Sequence, residues 1–225
     1  MSENQHPDHG GQEGRNNPYA QHAQAAAVRA KAAAQDALGA ARRLITNPAG
    51  TIGDAHASLG GERLLGVAIV FAVVAALCIA LASTRTMGML MYAMGMGGTG
   101  VGAFFKAMLN ALIGIVAVGG GVLIMAPLLG GRANPASALF IAATAVLPMA
   151  IASVLAWLVG MLLQNQLGGI LAMLLMLYGF SYLIMVLNAG LRQVCGVNES
   201  RAALGTPTVL AIAMLVMWLW GQLMR

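Results

Sequence analysis

The chain has 225 residues, of which 59% are hydrophobic and only 8% charged, with a formal charge of +5. A water-soluble domain carries about 25% charged residues, so this composition excludes an ordinary soluble globule and makes lipid the expected solvent. Between Arg63 and Asn198 there is no Asp or Glu, which removes from that stretch the carboxylate that a proton relay, a hard-cation site or a general base would use.

Residues 1–18 hold Ser, Asn, Gln, His, Gly and charges with no apolar side chain beyond Met1. Nothing there offsets the entropy of ordering, so a disordered tail is expected. Residues 19–62 are read as cytoplasmic helices ahead of the membrane domain. An Ala-rich helix is predicted from about Tyr19 to Leu44, ended by Asn47-Pro48, and a second, short helix runs from Pro48 to Leu59. On the second, Ile52, Ala55 and Leu59 recur at spacings of three and four, an apolar face suited to lying on the leaflet.

Residues 63–225 form the membrane domain. A helix needs roughly 20 apolar residues to cross a hydrocarbon core of ~30 Å, and five runs meet or approach that length: 64–82, 107–129, 136–163, 167–191 and 207–223. The first begins more than sixty residues from Met1 and is too long for a signal-peptide core, so it is expected to remain as a span. It carries Ala68, Ala72, Ala76 and Ala80 at every fourth position, a stripe that lets a neighbouring backbone come close. Gly119, Gly120 and Gly121 offer the same in the second span, and Pro148 predicts a kink or tilt in the overlong third. Only Gln164-Asn165-Gln166 separates the third and fourth spans, which dictates a tight antiparallel hairpin. Pro207 is placed in the first turn of the fifth, and Trp218 and Trp220 at its interfacial end.

Basic residues set the orientation. With the amino terminus inside, the cytoplasmic side receives Arg15, Arg29, Lys31, Arg42, Arg43, Arg63, Arg132, Arg192 and Arg201, against Arg85, Lys106 and Arg225 opposite. Nine against three predicts an all-α integral membrane protein, N-in and C-out. Arg outnumbers Lys ten to two amid abundant Ala and Gly, which suggests a bacterial source and so an inner, plasma-membrane location. Arg29, Lys31, Arg42, Arg43 and Arg63 are the candidate lipid-contacting residues, each worth ~1 kcal/mol near an anionic surface. Membrane lipids are therefore the expected partners, with a second copy or another membrane protein as further candidates. No nucleic-acid footprint is visible, because the bases cluster before the first span without interleaved aromatics.

Candidate chemistry is sparse. Met87, Met89, Met91, Met94 and Met96 fall in one short stretch, TMGMLMYAMGMGG, and soft uncharged thioethers suit Cu(I). Gap-filling methionine in an interfacial loop is the simpler account, and the run is also placed to prolong the first span. His6, His9, His22 and His56 match no zinc template and read as solvated residues. Cys78 and Cys195 give neither a CxxC pair nor a disulfide framework and are read as free thiols. Asn110, Asn188 and Arg192 are the polar residues of interest within the spans, with Thr144, Ser153, Ser181 and Tyr182. Neutral groups of this kind usually bond across helices for ~1 kcal/mol. Glu199 is expected to cap a helix or pair with Arg201 or Arg192. No enzyme activity and no cofactor are expected. A transporter or channel for a soft metal or small neutral solute, entered through the methionine run, is the alternative to a structural or partner-binding role.

Three segments, LITNPAGTIGDAHASL (44–59), LGGRANPASALFIAATAVLP (129–148) and NAGLRQVCGVNESRAALG (188–205), resemble those of the Yip1 domain family in its bacterial form. The resemblance covers residue 44 to the end. It implies a cytoplasmic amino-terminal region, five closely spaced spans, and a membrane-organising or partner-binding role. In eukaryotic members the family implies association with Rab-type GTPases; the acidic Tyr-Gly-Pro-like element that goes with it does not occur before the first span here.

Overall fold

The structure, a computed structural model, describes residues 18–93 and 101–224. Among the described residues the order is α1 (Pro18–Thr46), α2 (Pro48–Leu59), α3 (Gly61–Ala93), α4 (Val101–Leu128), α5 (Pro135–Leu162), α6 (Gln166–Gln193) and α7 (Glu199–Leu223), with no strand. Five segments are long and apolar enough to cross a membrane: Arg63–Ser83 within α3, and all of α4, α5, α6 and α7.

Asparagine starts four of these helices. Asn47, Asn134, Asn165 and Asn198 each turn a side-chain oxygen onto a backbone N–H of the first turn, those of Gly50, Ser137, Gly168 and Ser200. Such a cap satisfies a donor with no intrahelical partner, which matters most where water is scarce. Pro48 and Pro135 follow two of the caps, where a missing N–H costs nothing. Pro207 departs from its expected place. The Asn198 cap starts α7 well ahead of it, so Pro207 lies inside the helix, flanked by Thr206 and Thr208, whose hydroxyls donate to Ala202 O and Leu204 O. Hydroxyls bonded to the helix's own carbonyls accompany interior prolines that membrane helices tolerate. The methionine run also differs from a loop: α3 continues through Ala93, so Met87, Met89 and Met91 belong to a helix, while Met94 and Met96 lie outside the described residues.

The third span, α5, is the hub. It packs most extensively on α6 and α3 and more lightly on α4, while α7 lies mainly against α4. Its first half is enclosed on nearly every side: Phe140, Ile141, Ala142, Ala143 and Ala145 are fully buried. In lipid no hydrophobic force draws one apolar helix to another, so close contact itself must hold them. Small residues permit that contact. Ala68, Ala72, Ala76 and Ala80 are all buried along α3. A Cβ on Gly179 of α6 would sit 2.6 Å from Ala152 Cβ and 3.1 Å from Met149 Cα of α5, and one on Gly190 would sit 2.5 Å from Ile141 Cγ2. Pro148 is within α5, its carbonyl near Gly179.

The glycine triplet of α4 divides by direction. Gly119 approaches Ala138 and Ala142 of α5, and Gly121 is pressed against the backbone of Val209 in α7, whereas an added Cβ on Gly120 meets nothing. Gly121→Val is therefore expected to destabilise the bundle by about 1–3 kcal/mol through overpacking against a neighbouring backbone. Gly120→Ala is expected to be neutral or stabilising by up to about 1 kcal/mol from helix propensity alone. Denaturant titration of the two purified variants in mixed micelles, followed by circular dichroism, checks the contrast.

Candidate functional site at the amino-terminal end of the bundle

Alternating helix directions bring α2, the start of α3, the α4–α5 loop and the α6–α7 loop to one end of the bundle. There the polar side chains gather. The apolar face of α2, expected on the leaflet, instead covers protein: Ile52 and Ala55 are fully buried in the core, with Leu59 packed against it. Two polar contacts fix its register. Gly53 N–H donates to Gln193 Oε1 of α6 at 3.0 Å, and His56 Nε2 lies 2.8 Å from Ser137 Oγ in the first turn of α5. The His56 ring also meets Phe140 at 6.2 Å between centroids, and Phe140 in turn stacks on Phe71 of α3 at 6.5 Å. Gly60, at φ +59, turns the chain from α2 into α3.

His56 is thus not a solvated residue. Its imidazole is half-buried, and burial lowers its pKa below 6.5. The helical spacing of Ile52, Ala55 and Leu59 already marks the buried side of α2, and His56, adjacent to Ala55, borders that side. That was the available signal. Ser137 gave none, because only the fold brings it there.

The two loops interlock. Arg132 N–H donates to Cys195 O at 2.8 Å, Gly131 N–H to Ala126 O at 2.8 Å, and Val197 N–H to Leu191 O at 3.0 Å. A Cβ on Gly131 would stand 2.6 Å from both Cys195 O and Val197 Cγ2, so only glycine allows this approach. Gly130, at φ +84, makes the turn before it. Arg201 reaches across to donate to Leu129 O at 3.3 Å, and Arg192 pairs with Glu199 at 3.0 Å on an exposed surface. The Cys195 thiol is enclosed, and burial pushes its pKa up to about 11. A thiol held protonated in this way is inert as a nucleophile or metal ligand.

Within the bundle the polar residues turn to one another. Asn188 Nδ2 donates to Thr206 Oγ1 at 3.3 Å, joining α6 to α7, and Trp220 Nε1 donates to Asn110 Oδ1 at 3.0 Å, joining α7 to α4 near the opposite end. Ser153 donates to its own helix at Met149 O. Among the described residues Thr144 Oγ1 is buried without a partner. Asn110 and Asn188 are thus engaged helix to helix, and Arg192 faces the surface rather than the interior.

The basic residues before the bundle are distributed outward. Ala37, Ala40 and Leu44 form the buried face of α1, which packs on α3 and α2, while Lys31, Arg42 and Arg63 are exposed. The side chains of Arg29, Arg43, His22, Met87, Met89 and Met91, and all of His6 and His9, lie outside the described parts of the structure. Among the described residues no group of three His, Cys, Asp or Glu gathers in metal-binding range.

The lowered pKa of His56 predicts a pH dependence. Because the docked state favours the neutral ring, docking is fully supported above pH 6.5 and weakens as pH falls below it. Amide exchange in α2 should therefore quicken between pH 7 and pH 5 relative to that of α5, and His56→Gln should flatten the trend.

Comparison with curated proteins and with solved structures gave no match. The model of the Yip1 domain, however, matches residues 42–221. This stretch includes α2, both interlocked loops, the first four spans and all but the last two residues of the fifth, and with that match over most of its length the chain belongs to the Yip1 domain family.

Proposed function

We propose that this multi-pass membrane protein is a non-enzymatic membrane organiser. Its bundle is a rigid platform, and its amino-terminal face engages anionic lipid and a partner. The observation that carries this reading is the packing of α1 and α2 onto the bundle, with apolar residues inward and Lys31, Arg42 and Arg63 outward. A tethered but unstructured basic segment would also attract lipid. A docked one fixes where those charges stand and so defines a surface.

The polar chemistry of the interior supports the same reading. Asn110, Asn188, Thr206 and Trp220 are used to join helices. Glu199, the carboxylate of the interlocked loops, is paired with Arg192. In this proposal the amino-terminal face is cytoplasmic and the membrane a bacterial inner membrane, as the distribution of basic residues suggests.

The test uses the full-length protein in lipid discs. Three bases near an anionic surface supply ~3 kcal/mol in sum, at ~1 kcal/mol each. Replacing neutral lipid by phosphatidylglycerol should slow amide exchange across α1 by at least tenfold. Combined Lys31→Glu, Arg42→Glu and Arg63→Glu substitution should remove that lipid dependence. Equal exchange of the unaltered protein in both lipids would overturn the lipid-engaging part of the proposal.

A further inference from the structure

The fourth span is the least enclosed of the five. One face of α6 packs on α5 through Gly179, Leu183, Val186 and Gly190, and contact with α7 is marked by Asn188, Leu191 and Arg192 near the helix end. The rest of its length is open. Between Gln166 and Asn188 the only side chains of α6 with oxygen or nitrogen atoms are Tyr178, Ser181 and Tyr182. They lie at spacings of three and four, and therefore on one side of the helix.

Their depth is what demands explanation. At about 1.5 Å per residue, Tyr178 lies about 18 Å from Gln166 and about 21 Å from Arg192, the polar limits of the span. This places it close to the middle of a hydrocarbon core of ~30 Å. A tyrosine side chain extends roughly 6 Å, too short to bring its hydroxyl to either interface. Yet Tyr178 is 63% exposed, and its ring meets Tyr182 at 5.5 Å. Among the described residues neither phenol has a hydrogen-bond partner, while Ser181 donates to Leu177 O and keeps an oxygen free to accept. Tyr182 is half-buried against the core, whereas the exposed Tyr178 carries its hydroxyl at mid-bilayer depth without a partner among the described residues, which is costly in hydrocarbon.

The surrounding positions supply a packing surface. Leu167, Leu171, Leu174, Tyr178, Ser181 and Met185 follow one another at alternating steps of four and three, and all are exposed. That is the spacing of a two-helix contact crossing at about 20°. We infer that α6 pairs with α6 of a second copy of this chain, side by side in the membrane, with Tyr178, Ser181 and Tyr182 of the two copies forming one shared layer of hydroxyl hydrogen bonds. A second copy is the occupant that the depth argument selects. A two-fold axis along the membrane normal brings every level of α6 to its own counterpart, so a polar level necessarily meets a polar level. Each phenol both donates and accepts, so Tyr178 can donate to the phenol or the serine oxygen of its counterpart. This contact lies on the lipid-facing side of the bundle and does not depend on the role assigned to α1.

The experiment measures self-association of full-length protein in bilayers by single-molecule photobleaching over a range of surface densities. Dimers are expected, and Tyr178→Phe should weaken the dimer about threefold to tenfold, the range of a single interhelical hydrogen bond in a membrane. Single cysteines at Leu171, Leu174 and Met185, introduced after Cys78→Ala and Cys195→Ala, should cross-link between copies under mild oxidation. Cysteines at Ile170 and Met173, exposed but off the repeat, should not. Monomers at every density would overturn the inference. So would cross-linking equal on and off the repeat, or dimers whose affinity is unchanged by Tyr178→Phe. Loss of lipid-dependent α1 exchange with dimerisation intact would count against the proposed function alone.

Discussion

Close approach of helix backbones to α5 is the constraint on which the rest of the structure depends. Lipid tails are as apolar as the side chains that face them, so burying a leucine between two spans gains little over leaving it in the bilayer. What remains is contact at short range. The α5–α6 interface obtains it at Gly179 and Gly190, where a single added carbon would collide with Ala152 and Ile141. The α3 side obtains it with alanines, four of them buried at successive turns. Because α5 is held from three sides, its first half becomes an interior in the soluble-protein sense, filled by Phe140, Ile141 and small residues.

That enclosed half creates a surface at its end, and α2 covers it. Phe140 is the shared element: it stacks on Phe71 from α3 and meets the ring of His56 from α2. The adjacent Ser137 then supplies a polar partner to His56 at the point where the bundle core gives way to its capped end. The interlocked loops extend the same platform, since Arg132 N–H and Cys195 O join the α4–α5 and α6–α7 connections directly. Helices α1 and α2 are consequently part of the folded unit rather than appendages, and the charges on α1 are presented from a fixed base.

Two sets of polar side chains in the bundle differ in what they meet. Asn110, Asn188, Thr206 and Trp220 meet partners on neighbouring helices and tie α7 to α4 and α6. Among the described residues the phenols of α6 have no such partner, and Tyr178 is exposed at the bundle surface with Tyr182 half-buried beside it. The first set accounts for how the chain holds itself together. The second, through the exposed Tyr178, points outside it, which is why the two are assigned different roles although all are neutral groups in apolar helices.

Composition and pattern were enough to determine the solvent, the all-helical class, the five crossings and the segments resembling the Yip1 domain, because a span must satisfy its own backbone and so writes its length into local hydropathy. The small-residue stripe of α3 was equally legible, since a four-residue recurrence is a property of one helix. The start of α7 was less so: Pro207 looked like a beginning, and only the Asn198 cap and the hydroxyl bonds of Thr206 and Thr208 explain its place inside the helix. What lay beyond the sequence was every pairing between elements. His56 with Ser137, Asn110 with Trp220 and Gly131 with Cys195 are separated by 64 residues or more, and no local period encodes such meetings. They exist because α5 fixes the positions of its neighbours, and that arrangement arises only when the helices pack.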